Sequence, residues 1–242
     1  MKIKFVGTCP KDLSSPEFNE DQMAFNLSNC ALALSDGASE SFNSKAWAKI
    51  LSKKFVSDQN VDSDWLSKSV VDYEKKHDKA LISWAKQNAF ERGSFATLLG
   101  IEYCNETMSI KVFAIGDSIA ILVSNYDIIY SWPFTNANEF NNRPTLLSTK
   151  VEHNLFINDK DFKINHLKHF EIKNIYQPIL LCLTDAIGEW ALKDVQDRKD
   201  RIYKLCNLTS IEELSNLVIE ERLEKRMRID DSTIVVLSFE ME

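Results

Sequence analysis

Residues 226–239 read RMRIDDSTIVVLSF. From Ser232 onward the run is almost entirely β-branched and apolar, which predicts a strand covered on both faces. Two aspartates, Asp230 and Asp231, stand at its mouth. A carboxylate at the edge of an apolar interior is costly unless a hydrogen-bond donor or a cation meets it. The pair therefore raises the question of its partner.

Working outward, the same arrangement recurs. Asn19-Glu20-Asp21 precedes the strand-like QMAFNL, and Asp36-Gly37 follows CALALS. Asp117 lies in AIGDS, between two apolar strands, and Asp185 follows the apolar run PILLCLT. Asp favours turns for local reasons, so any one of these positions is ordinary. Gly37 and Gly116 permit a tight backbone beside the acids. If the strands form one sandwich, several of these corners lie at one end of it. Like charges gathered there cannot all stay ionised without compensation. Oxygen ligands without His or Cys select hard ions such as Mg2+ or Mn2+. Two such ions close together clamp a phosphate and activate water.

The composition is compatible with that chemistry. The chain has 242 residues, 44% hydrophobic and 27% charged, with a net charge of −7. This suits a soluble globular protein and argues against a general nucleic-acid grip. The five cysteines are scattered without a CxxC pair, which argues against a structural zinc site and fits a reduced, cytoplasmic environment. No stretch approaches the ~20 apolar residues of a membrane span, and the start MKIKFVG is too short an apolar run for a signal peptide. No GxGxxG or P-loop pattern occurs, so no nucleotide-type cofactor is expected.

With six glycines, five prolines and no linker-like tract, residues 1–242 read as one domain. MKIKFVG alternates as a strand, and MAFNLSNCALALS makes two strands about a turn near Ser28-Asn29. Trp47, Ile50, Leu51 and Phe55 share one helical face. A long helix is expected from Asp64 to Phe90, carrying Leu66, Val70, Tyr73, His77, Leu81 and Trp84 on an apolar stripe. A β meander follows: SFATLLGIEYC, SIKVFAIG, SIAILVS and DIIYSW. Residues 133–177 are polar, weakly patterned and read as a flap. His153, His166 and His169 within it lack metal-ligand spacing and are expected at the surface. A helix opened by a Thr209-x-x-Glu212 capping box follows, with ERLEKRMR as a solvated mixed-charge face. Trp47, Trp65 and Trp84 are expected in the core. Strands, two helices, strands, helices and a last strand predict an α+β fold of antiparallel sheets covered by helix layers.

The motifs NED, SDGAS, GSFATLL, AIGDS, LTDAIGEW and IDDSTIVVL stand in the order and near the spacing of one known family. Together they resemble the type 2C protein phosphatases, the metal-dependent PPM Ser/Thr phosphatases, in their compact bacterial branch. The likeness runs from Asn19 to Leu237. It implies an αββα four-layer sandwich holding two ions, Mn2+ or Mg2+, with a third in some relatives. By that match Asp36 bridges both metals and the carbonyl of Gly37 ligates one. Asp185 and Asp230 hold the second, and Glu20 and Asp21 complete the shell. Asp117 and Glu189 match the third-ion positions, Glu189 replacing a more usual Asp, and Asp231 supports its neighbour. The implied activity is hydrolysis of phosphoserine and phosphothreonine in proteins by metal-activated water, with a Ser/Thr kinase as the opposing partner.

Three departures bear on substrate binding. DLSSPEFNED lacks the arginine that pairs with the phosphate in many relatives; Lys11, Arg92 and Arg143 are the candidate substitutes. Ala38 stands where many carry a histidine general acid, and GDSI lacks the arginine of GDSR. These gaps support an alternative, a regulatory binding module on the same fold with weak or no turnover.

Overall fold

In the computed structural model, which describes residues 1–77 and 82–239, two five-stranded antiparallel sheets form the centre of the molecule. The first has the order β1 (Lys2–Cys9), β12 (Ser232–Ser238), β11 (Ile179–Leu183), β7 (Ile119–Ser124), β8 (Asp127–Trp132). The second has the order β10 (Leu167–Glu171), β6 (Ser109–Ile115), β5 (Leu98–Cys104), β3 (Ala31–Ser35), β2 (Gln22–Asn26). A short pair, β4 (Phe95–Ala96) with β9 (Leu147–Ser148), lies beside them. The helices are α1 (Ser44–Ser57), α2 (Ser63–Glu74), α3 (Trp84–Arg92), α4 (Phe162–His166), α5 (Asp185–Leu192), α6 (Arg198–Cys206) and α7 (Ile211–Leu223).

Strand period and burial explain the layering. On β12, Val235 and Leu237 pack between the sheets, while Ile234 and Val236 pack outward against Ile187, Trp190, Leu205 and Leu214 of α5, α6 and α7. On β3, Leu32 and Leu34 face the inter-sheet core, while Ala31 and Ala33 face Trp47, Leu51 and Phe55 of α1. Each strand therefore has two buried faces, which is why STIVVLSF and CALALS are continuous apolar runs. The αββα sandwich is the fold expected from the sequence.

Four local expectations are corrected. The four strands after Ser94 do not form one meander: β5 and β6 belong to the second sheet, β7 and β8 to the first. The chain changes sheets at Gly116-Asp117, where Gly116 takes φ +103°, a backbone state open to glycine. The helix expected over 64–90 is two helices, α2 and α3; Leu81 lies outside the described residues. Trp47 and Trp65 are buried, but Trp84 begins α3 with 81% of its surface exposed. The α7 cap is shifted by one residue: Ser210 is the N-cap, and Glu213 Oε2 accepts from the backbone and hydroxyl of Thr209.

Histidines divide by packing. His77, three residues past the end of α2, stacks edge-on against Phe42 and Tyr73. His153 and His169 are exposed, whereas His166 is half-buried and its Nδ1 donates to the Ala114 carbonyl at 2.8 Å.

The close packing of α1 on β5 depends on a missing side chain. A Cβ on Gly100 would stand 2.1–2.5 Å from the buried ring of Phe55. Gly100→Ala should therefore lose about 1–3 kcal/mol of stability through overpacking. Urea unfolding is the check, and adding Phe55→Leu should recover part of the loss. An unchanged midpoint for Gly100→Ala would mean that α1 does not seat on β5 through this ring.

Candidate metal centre at one end of the sandwich

Strand register brings the acidic corners together. Leu34 pairs with Leu99 and Leu98 with Ile115, so the end of β3 and the end of β6 lie at one edge. Gln22 pairs with Ser35, which puts the start of β2 at that edge too. In the facing sheet Leu183 pairs with both Ile119 and Ile234, so the end of β11 meets the starts of β7 and β12. Asp21, Asp36, Asp117, Asp185 and Asp230 each sit one to four residues beyond these paired positions.

Asp36, Gly37, Asp117, Asp185 and Asp230 line one cavity of about 150 Å³, closed by Ala38, Ser39, Thr97, Pro144 and Leu146. Thr97 pins the β3 corner: its Oγ1 accepts from Asp36 N at 2.8 Å and its N donates to Asp36 O at 2.8 Å. Gly37 packs so tightly on the start of α1 that a Cβ there would lie 2.8 Å from the Ser44 carbonyl carbon. Asp185 opens α5 directly after β11, and Thr184 ties the two strand ends by accepting from Thr233 N at 2.9 Å.

Asp21 is buried beneath this cavity. Its Oδ2 accepts from Thr184 Oγ1 at 3.0 Å, while its Oδ1 has no hydrogen-bond partner. Burial pushes the Asp21 carboxyl up to about 7. Burial likewise raises Asp36 well above the carboxylate range, and Asp21, Asp185, Asp117 and Asp230 add their charges to the effect. Asp185 is raised to about 8 by burial and by Asp117, against the pull of Arg228. Asp117 is raised by burial, again opposed by Arg228. The chain thus collects more negative charge here than its own groups neutralise.

The other expected residues stand around the cavity rather than in it. Glu20 accepts from Lys11 Nζ (2.8 Å), from Ser39 Oγ (2.6 Å) and from Ser44 Oγ. Glu189 pairs with Arg228 Nε at 3.3 Å. Asp231, 2% exposed, accepts from Lys11 N at 2.7 Å through Oδ1 and from Glu20 N at 2.8 Å through Oδ2. Its own N donates to Asp230 Oδ1 at 2.9 Å. Asp231 is therefore the clasp that joins β12 to the loop before β2, and it orients Asp230.

Two arginines went unnoticed because ERLEKRMR read as a solvated helix face. The helix ends at Leu223, and the segment turns back toward the site. Arg222 donates to the carbonyls of Pro10 (2.9 Å) and Asp230 and to Ser232 Oγ (3.2 Å). Arg228 Nη2 lies 2.8 Å from Asp185 Oδ2. Glu221 is also buried, accepting from Trp190 Nε1 at 2.9 Å and from Arg226 Nε at 2.6 Å. No local signal marks the two arginines, because the turns and bends over residues 224–230 follow neither a helix nor a strand period.

A larger cleft of about 800 Å³ opens beside the acidic cavity, and Ala38, Ser39, Pro144, Leu146 and Asp230 line one or both of them. Its walls carry Arg92, Arg143 and His153. Among the described residues neither arginine has a side-chain hydrogen bond or an ion pair, whereas Lys11, the third candidate cation, is committed to Glu20 and Ser39.

Neither a family model nor a curated protein matches the chain. Solved structures do. The photosystem II phosphatase PBCP aligns with a TM-score of 0.61 at 13% identity, over 98% of this chain and 99% of its own. The fold is that of the type 2C protein phosphatases. The Ser/Thr phosphatase Stp1 from Staphylococcus aureus shares this phosphatase fold at TM-score 0.58 and 17% identity, over 99% and 96% of the two chains. RsbX, solved in complex with magnesium, shares it at TM-score 0.52 and 17% identity, over 99% of each chain.

The donor set of the cavity fits a hard divalent ion: its acidic lining is all oxygen and anionic, and the neighbouring buried Asp21 leaves one carboxylate oxygen unpartnered. Among the described residues no three His, Cys, Asp or Glu side chains are already drawn into a finished cage. A stability consequence follows. Asp21 and Asp185 ionise near 7 and 8 in the folded chain but near 3.8 unfolded, so the folded state binds more protons between those values. Stability must then fall as pH rises from 5 to 8. His77, held low by burial, acts in the opposite sense, but it is one group against several. Urea midpoints in chelator should decrease over this range, and Mn2+ should flatten the decline. A midpoint that rises with pH in chelator contradicts the crowding of charge described here.

Proposed function

We propose that this chain is a metal-dependent protein phosphatase that hydrolyses phosphoserine and phosphothreonine. The observation that carries the reading is the convergence of Asp21, Asp36, Asp117, Asp185 and Asp230 at one end of a phosphatase sandwich, with Asp36, Gly37, Asp117, Asp185 and Asp230 on one cavity. Asp36, the Gly37 carbonyl, Asp185 and Asp230 are the groups that hold two Mn2+ or Mg2+ ions, with Asp21 and Glu20 supporting them. Bound there, such ions lower the pKa of a coordinated water toward neutrality and neutralise phosphoryl oxygens.

The protein's own residues do the rest. Asp231 fixes Asp230 and the Glu20 backbone, so that the β12 and β2 corners keep their spacing. Thr97 and Thr184 hold the β3 and β11 corners. Arg92 and Arg143 face the adjoining cleft, where an unpartnered pair of guanidiniums suits the phosphate of a peptide chain. The volume of the cleft, about 800 Å³, favours protein substrates over small phosphate esters. Ala38 offers no ionisable proton, so the leaving serine or threonine oxygen takes its proton from water or from another group at the site. No helix among the described residues is long and apolar enough to cross a membrane. We place the enzyme in the cytoplasm, opposing a Ser/Thr kinase.

Phosphate release from a phosphopeptide with Mn2+ is the test. Asp36→Asn should lower kcat by more than about 100-fold, since even outer partners of metal ligands cost about 10–100-fold. Wild-type protein that binds Mn2+ but releases no phosphate would identify the chain as a binding module instead.

The cleft arginines should separate from this. Arg92→Ala and Arg143→Ala should each raise KM for the phosphopeptide about tenfold, the effect of losing a charge-assisted contact, with kcat nearly unchanged. If KM stays constant in both variants, the phosphate is held elsewhere.

A further inference from the structure

The charges at the acidic end are unevenly compensated. Asp185 and Glu189 have a cation of their own: Arg228 Nη2 is 2.8 Å from Asp185 Oδ2, and its Nε is 3.3 Å from Glu189 Oε2. Asp117, on the same side, also feels its charge. Among the described residues no ion pair meets Asp21 or Asp36, whereas other carboxylates add their charges to both. One half of the cavity is therefore neutralised by the chain itself, and the other half is not.

The manner in which Arg228 is held matters as much as its position. Its Nε and Nη2 are buried, yet neither makes a hydrogen bond of proper geometry. It is attracted by charge without the two aligned bonds of a guanidinium–carboxylate fork. Arg222 is the contrast: its Nη1 and Nη2 donate to main-chain carbonyls and a serine hydroxyl, so that it serves as a structural tie although its Nε is unpartnered. Arg228 is roofed by the ring of Phe140, 6.0 Å from the guanidinium carbon, and about a third of its side chain remains exposed, 36%. That exposed part of the side chain reaches solvent.

We propose that Arg228 is a tethered counter-cation that competes with a divalent ion for Asp185. In the metal-free protein it stabilises the Asp117–Asp185–Glu189 side of the cavity. An ion that takes Asp185 must displace it. The two halves of the cavity then fill at different cation concentrations: the Asp21–Asp36 side first, because nothing occupies it, and the Asp185 side later, because Arg228 has to be paid off. Arg228 thereby sets the concentration of Mn2+ or Mg2+ at which the centre becomes complete. This inference rests on the metal-centre reading above.

Calorimetric titration with Mn2+ alone, without substrate, tests it. Wild-type protein should show a tighter and a weaker binding step. In Arg228→Gln the weaker step should tighten at least tenfold while the tighter step stays within twofold. Arg228→Lys, which keeps the charge, should retain the weak step. The metal-free Arg228→Gln protein should also melt at a lower temperature than wild type, and saturating Mn2+ should remove the difference. A measurement on the wild type needs no variant: the Arg228 Nε–H resonance should shift as diamagnetic Mg2+ saturates the protein. Identical two-step titrations for wild type and Arg228→Gln overturn the proposal and leave the phosphatase reading standing. So does tightening in Arg228→Lys equal to that in Arg228→Gln, or an Arg228 resonance indifferent to Mg2+. Absence of any Mn2+ binding to wild type and Arg228→Gln overturns both.

Discussion

Repulsion among carboxylates is the constraint on which the rest of this structure turns. Five aspartates from five separate strand ends are brought to one end of a two-sheet sandwich, and Asp36 feels four of the others. The remainder of the fold supplies the rigidity to hold them there. The central strands of both sheets are buried on both faces, so none of them can slide by one residue without turning an apolar set toward the wrong layer. The acidic end is expensive, and the cores on either side of each sheet hold it in place.

The corners are fixed by a small set of neutral and charged clasps. Thr97 bonds both the N and the O of Asp36, Thr184 and Thr233 tie β11 to β12, and Asp231 reaches the backbone of Lys11 and Glu20. These contacts satisfy polar groups that burial would otherwise leave bare. They also explain the double aspartate at residues 230 and 231. One carboxylate, Asp230, faces the cavity; its neighbour faces the opposite way and works as a joint. Asp230 lies in a bend just before β12, so two adjacent acids can do two different jobs.

Positive charge is distributed with equal economy. Lys11 serves Glu20, Arg222 serves the main chain at the mouth of β12, and Arg228 serves Asp185 and Glu189. Arg92 and Arg143 line the cleft without partners among the described residues. The cations thus divide into those spent inside the protein and those facing the space a substrate enters. A net charge of −7 conceals this arrangement, because it averages a local excess of acid against arginines placed where they act.

The linear sequence determined the layers and the list of acids. Uninterrupted runs such as STIVVLSF and CALALS mean strands with two covered faces, and helices on both sides are what cover them. The placing of Asp or Glu at each strand end was equally legible, because turns and ligands use the same residue types. Only the tertiary structure decided which acids share a cavity: Asp36, Asp117, Asp185 and Asp230 line it, while Glu20, Glu189 and Asp231 face other partners. It alone split the apparent meander between the sheets at Gly116, because which sheet a strand joins depends on long-range pairing and not on its own pattern. It also turned ERLEKRMR from a solvated face into the source of Arg222 and Arg228. A charged side chain carries no periodic mark of its partner, and partners such as Asp185, 43 residues away for Arg228, meet only when the register of distant strands has been set.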